Sequence, residues 1–289
     1  MTSTAPASRI AALWMMGTVV SFTLMAVAGR AVSSELDTFE LMLYRSILGV
    51  GLVLAGAGLT GRLDQIRARR LDLHLARNLS HFAGQNLWFL ALALIPLAQV
   101  FAMEFTAPLW VALAAPFLLG ERLTPLKAAV AVAGFVGILI VVRPTLDGIA
   151  PGQAAAALAA LGFAGSAILT KILTRTEPVT SILFWLTVMQ TGMGLIAAGY
   201  DGQIALPSPA LWPWLLIVGV AGLTAHLCLT VALSHAPASF VMPFDFLRLP
   251  VAVIAGALLY AEPFDPVVLA GAALILAANY VNLRAAPAR

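Results

Sequence analysis

The chain has 289 residues, 61% hydrophobic and only 10% charged, with a mean hydropathy of +0.97. Soluble domains carry about 25% charged and 45–50% apolar residues, so this composition excludes a water-soluble fold and the apolar surplus must face lipid. The pI near 9.4 does not point to nucleic acid, because the basic residues are scattered over short loops, and the single cysteine, Cys228, leaves no internal disulfide.

A short polar tail, residues 1–8, precedes a first apolar run too long for the core of a cleavable signal. Apolar stretches of about 20 residues, each enough for roughly 30 Å of hydrocarbon, predict ten transmembrane helices. They fall at 10–32, 38–60, 72–94, 97–119, 125–143, 151–173, 179–199, 211–234, 238–260 and 266–283. The third is diluted by RNLSHFAGQNLW at 77–88. Its Asn78, His81 and Gln85 are spaced i, i+3, i+7 and share one face. The fourth carries Glu104 inside FAMEFTAPLW (101–110). Pro108 and Pro250 predict kinks in the fourth and ninth. Thr124-Pro125 and Asp265-Pro266 each pair a capping side chain with a first-turn proline. Trp212 and Trp214 read as interfacial anchors. Gly and Ala in GVGLVLAGAG (49–58) and AALGFAGSA (159–167) predict close helix packing.

Lysine and arginine in the loops set the orientation. With the N-terminus inside, one face holds 11 of them, including the RLDQIRARR cluster at 62–70. The other holds only Arg30 and Arg143, while Arg45, Arg77 and Arg248 fall within spans. Both termini are therefore expected on the cytoplasmic side.

Shifted by 141 residues, the sequence lies on itself without a gap. Pro96 meets Pro237, Phe105 meets Phe246, Phe22 meets Phe163, Arg30 meets Lys171, and Glu121 meets Glu262. Each unit holds five spans, so the second enters the bilayer from the opposite side. An inverted repeat of this kind encloses a central site in many secondary carriers. The expected fold is an all-α membrane protein of ten transmembrane helices, built as two inverted five-helix repeats at 9–144 and 150–284.

Each half resembles an EamA-type domain of the drug/metabolite transporter superfamily. The residues that carry the likeness are ELMLYR at 40–45, FLALALIPLA at 89–98, FTAPLW at 105–110 and LLGERLTP at 118–125. The resemblance covers nearly the whole chain and implies a ten-helix carrier of amino acids, nucleotide sugars, purine derivatives or drugs. Within that superfamily the chain looks most like bacterial exporters of aromatic amino acids. The second half departs from the pattern: Leu186 stands opposite Arg45, and AEPFDP (261–266) is a loose version of the acidic corner.

The shift places Glu104 on Asp245, so a carboxylate recurs at the related position. A lone charge inside the bilayer is costly, hence partners are expected. Arg45, at matching depth, is the candidate for Glu104, and Arg248, one turn along, for Asp245. These four residues either pin the ends of the halves as gates, or one carboxylate couples protons or meets a substrate ammonium. Gln85 falls on His226, which puts a hydrogen-bonding group at the same point in both repeats. Asn78, His81, Gln85 and His226 either bond neighbouring helices or line a cavity. Phe101, Phe105, Phe163, Trp185 and Phe246 would wall that cavity, suiting a zwitterion with a bulky side chain.

The leading expectation is a secondary carrier of the bacterial inner membrane that exports amino acids or related metabolites by alternating access. A monomer suffices, with no cofactor and no metal. No GxxxxGK[ST] sequence is present, so direct use of ATP is not expected. Uptake of another small metabolite (a purine derivative, a drug or a cation) is the alternative. A membrane-embedded enzyme is remote, because HExxH, GxSxG and a Cys–His arrangement are all missing.

Overall fold

The computed structural model describes residues 5–118, 125–143, 149–236 and 241–285, and these are helical with no strand among them. In the first repeat α1 is Ala5–Val32, α2 Thr38–Leu59, α3 Leu71–Leu94, α4 Leu97–Glu104, α5 Ala107–Leu118 and α6 Pro125–Val142. In the second, α7 is Pro151–Leu173, α8 Val179–Ala198, α9 Trp212–His235, α10 Arg248–Tyr260 and α11 Pro266–Ala285. Among the described residues five helices (α1, α2, α7, α8 and α9) are long and apolar enough to cross a bilayer unaided. Roughly half of each is buried in the bundle, which leaves an apolar outer face.

Local chemistry sets the helix boundaries. Asp37 Oδ1 accepts from the backbone N–H of Phe39 and Glu40, each at 2.8 Å, and Glu40 returns a carboxylate to the Asp37 N–H at 3.2 Å. This capping box starts α2, although the sequence reading did not pick it out. Asp265 caps α11 as expected, accepting from Val267 N at 2.9 Å. Its hydrogen bond from Arg143 holds the Asp265 carboxyl below the usual carboxylate range. The Thr124-Pro125 cap and the Glu121 corner fall partly or wholly on residues outside the described segments.

The fourth and ninth spans are each broken, and at equivalent places. α4 ends at Glu104 and α5 begins at Ala107, while a 3₁₀ turn, Met242–Leu247, gives way to α10 at Arg248. Ala107 and Arg248 are 141 residues apart, so the break is part of the repeat. The covalent cause is proline: Pro108 has no N–H to donate to the carbonyl of Glu104, nor Pro250 to that of Phe246. The predicted kinks are therefore full interruptions.

The most extensive helix contacts cross between the repeats: α1 on α9, α3 on α7, α2 on α8 and α6 on α11, with α4 meeting α10. In terms of place within each repeat, first packs on third, third on first, and the rest on their own counterparts. Gly84 and Gly162 bring the backbones of α3 and α7 together. A Cβ built on Gly162 would lie 2.7 Å from Gly84 Cα and 2.8 Å from Ser80 O.

Charged side chains fix the helix ends. Arg30, near the end of α1, donates to the carbonyls of Leu92 (2.7 Å) and Ile95, and pairs with Glu262. Its counterpart Lys171 donates to Leu233 O (2.8 Å) and Ala236 O (3.1 Å), the carbonyls 141 residues further on. The end of α1 thus meets the start of α4, through the Ile95–Leu97 turn that Glu262 also holds. The same end of α1 meets the end of α10, where Tyr260 donates to Val27 O at 2.8 Å. One helix begins where its counterpart finishes, so the two repeats run antiparallel.

Candidate functional site

The broken helices open a cavity at the centre of the bundle. The space, counted out to open solvent, is about 710 Å³, of which about 50 Å³ has room for the centre of a water molecule. Much of its lining falls into repeat-related pairs: Phe22 with Phe163, Met25 with Ser166, Gln85 with His226, Trp88 with Leu229, Glu104 with Asp245, and Ala107 with Arg248. The axis relating the halves therefore runs through this space.

Glu104 ends α4 at the wall. Its Oε1 accepts from Arg248 Nη2 at 2.7 Å and its Oε2 from Trp88 Nε1 at 2.8 Å. Asp245 Oδ2 lies 3.5 Å from the same Arg248 Nη2. One guanidinium, 2% exposed, thus serves two carboxylates. It also stands over the rings of Phe22 at 5.0 Å and Phe101 at 5.2 Å, where cation–π attraction adds to the pairing.

This overturns the expected Arg45–Glu104 pair. Helix α2 packs chiefly on α8 and α9. Arg45 donates instead to Met42 Sδ at 3.3 Å and lines a separate, smaller cavity with Ser46, Gln190 and His226. Arg248 takes its place because the related positions 104 and 245 converge at the axis.

His81, Gln85, Phe105, Phe163 and His226 all border the main cavity. The rings of His81 and His226 meet edge-on with centroids 4.6 Å apart, and Phe22 lies edge-on to His226 at 5.4 Å. Asn78 does not join them. It faces α8, donating to Trp185 O at 3.3 Å and accepting from Gln190 Nε2 at 3.0 Å, the helix-bonding role that was its alternative. Trp185 also stands away, its indole N–H donating to Arg67 O at 2.9 Å. Phe101 lies behind the wall, against Trp88 and Arg248. The side chain of Phe246 falls outside the described residues.

Several lining residues escaped the sequence reading, and for Phe22, Trp88 and Arg77 a signal existed. Phe22 is the repeat partner of Phe163. Trp88 lies three residues beyond Gln85, on the same face of α3. Arg77 precedes His81 by four and Gln85 by eight, so Arg77, His81, Gln85 and Trp88 form one stripe.

Six lining residues carry buried polar atoms without a partner: Arg77 Nη1, His81 Nε2, Gln85 Nε2, both ring nitrogens of His226, Asp245 Oδ1 and Arg248 Nε. Buried polar groups are rarely left unmet. These six converge on one space. Among the described residues no cluster of His, Cys, Asp or Glu could hold a metal ion.

Two antiparallel repeats closed on a shared cavity, with interrupted helices at its wall, define a membrane transporter. The chain belongs to the EamA-like transporter family, whose model matches residues 9–143 and 150–284, and is a multi-pass membrane protein. It is 36% identical over 214 residues to a riboflavin transporter of Rhizobium johnstonii, covering 73% of this chain and 70% of that one. It is 27% identical over 267 residues to an S-adenosylmethionine uptake transporter of Rickettsia bellii, covering 92% and 90%. A pseudopaline exporter of Pseudomonas aeruginosa is 24% identical over 262 residues, covering 89% and 90%. A solved crystal structure shares the fold with a TM-score of 0.69 at 18% identity, over 94% of this chain and 95% of that one.

Proposed function

We propose that the protein is a secondary carrier that takes up a metabolite with a planar ring system, of the riboflavin class, by alternating access. The observation that carries this reading is the convergence of unpartnered polar atoms in one cavity walled by Phe22, Trp88, Phe105 and Phe163. Aromatic faces suit a flat ring, and scattered polar groups suit its heteroatoms and a hydroxylated or charged chain. The riboflavin and S-adenosylmethionine transporters among its relatives carry cargo of this kind. In this reading the ten spans form two halves, 9–144 and 150–284, that rock about the central axis with both termini cytoplasmic. Amino acid export, expected from the family resemblance, is the second reading; the exporter among the relatives favours outward movement.

Counterflow into vesicles containing the purified protein tests this directly. Labelled riboflavin is expected to exchange saturably. Gln85→Ala and His226→Ala are expected to slow exchange at least tenfold with less effect on thermal unfolding. Exchange of aromatic amino acids without riboflavin would restore the second reading. Equal losses of transport and stability in both variants would make Gln85 and His226 packing residues and remove the cavity from the account.

A further inference from the structure

Arg77 is 1% exposed at the cavity wall. Its Nε donates to Thr170 Oγ1 at 2.9 Å, and the Thr170 hydroxyl is itself spent on Ser166 O at 2.7 Å. The Nη1 atom is buried with no partner, and no acidic side chain pairs with this guanidinium among the described residues. Arginine stays charged at any physiological pH, and a buried charge without a counter-group is strongly disfavoured. Inside a membrane protein such a residue marks a functional site by default.

The surroundings give the site a polarity. Both cavity carboxylates, Glu104 and Asp245, are gathered around Arg248. Arg77 lies away from them, one and two turns below His81 and Gln85 on the same face of α3. The Gln85 amide Nε2 is a second buried donor without an acceptor. One wall of the cavity therefore offers N–H groups that the protein itself does not use.

We propose that Arg77 receives an oxygen-acceptor group of the transported molecule, either the carboxylate of an amino-acid-like chain or the carbonyl edge of a heteroaromatic ring, while Gln85, two turns along α3, is a donor for a second polar atom of the same molecule. The fork of a guanidinium presents parallel N–H groups that match such oxygens, and its charge strengthens each bond. Thr170 orients the fork by fixing Nε. The inference rests on the carrier reading above and adds which end of the cargo faces α3.

The test is binding to the purified full chain in detergent, with riboflavin followed by quenching of its fluorescence and S-adenosylmethionine by calorimetry. Arg77→Gln is expected to weaken the ligand that wild type binds by about 10- to 100-fold, the range for a hydrogen bond to a charged group. Arg77→Lys, which keeps the charge but not the fork, should fall between and covers a glutamine variant that does not fold. If the acceptor is a carboxylate, decarboxylated S-adenosylmethionine binds wild type weaker by the same factor, and Arg77→Gln adds no further loss. If it is the ring edge, the loss appears with riboflavin and S-adenosylmethionine does not compete. Unchanged affinity in both Arg77 variants overturns this inference and leaves the carrier reading standing. A wild-type protein that binds and moves neither probe overturns both.

Discussion

Replacing Glu104 by Gln keeps the shape of the side chain and removes its charge, and its cost follows from the contacts described. Glu104 accepts from Arg248 Nη2 at 2.7 Å and from Trp88 Nε1 at 2.8 Å. A glutamine oxygen can keep one of these, and its amide N–H₂ faces the other donor. Removing one partner of a buried pair costs about 3–5 kcal/mol when the other charge is stranded. Asp245, 3.5 Å from the same nitrogen, remains as counter-charge, which brings the expected loss to about 2–3 kcal/mol. For a chain of this size roughly 2 °C of unfolding midpoint corresponds to 1 kcal/mol, so the midpoint in detergent should fall by about 4–6 °C. Asp245→Asn alone should cost less, because its contact is longer. The double variant strips Arg248 of all counter-charge and should lose more than the sum of the singles. Tryptophan fluorescence during heating follows the transition. A midpoint for Glu104→Gln within 1 °C of wild type, or strict additivity in the double variant, would refute the shared-guanidinium account.

Two further outcomes follow from backbone geometry. Gly162→Ala should lower stability by about 1–3 kcal/mol, since the new methyl meets Gly84 Cα and Ser80 O, main-chain atoms that cannot turn aside; thermal unfolding of the purified variant measures it. Ala261→Gly should raise stability by about 0.5–1 kcal/mol, because Ala261 ends α10 at φ 51°, ψ 33°, where a Cβ is strained, and a midpoint below wild type would show the strain is not there.

The fold was legible because hydrophobicity and the 141-residue offset are properties of the linear chain. Those signals also reached half of the cavity: Gln85 with His226, and Phe163, are where the repeat puts them. What the sequence hid was side-chain choice across helices. Depth singled out Arg45 as the partner for Glu104, and only the packing of α2, chiefly on α8 and α9, leaves that place to Arg248. Asn78 and Arg77 are neighbours about 100° apart around α3. Which of them faces the cavity depends on the seating of α3 against α7 and α8, which spacing does not encode. The prolines announced disturbed helices, but the interruption falls upstream of each, at the carbonyl each leaves unbonded.

The contact between Gly84 and Gly162 has a mechanical consequence. Gly84 lies near the middle of α3, so each arm of the helix is about 15–20 Å long at 1.5 Å per residue. In the rocking proposed above, the two main chains, with no side chains between them, would act as the fulcrum. A tilt of about 10° there displaces the helix ends by about 3 Å, in opposite senses at the two membrane faces. Under the carrier proposal, widening one mouth and narrowing the other would then be a single lever stroke.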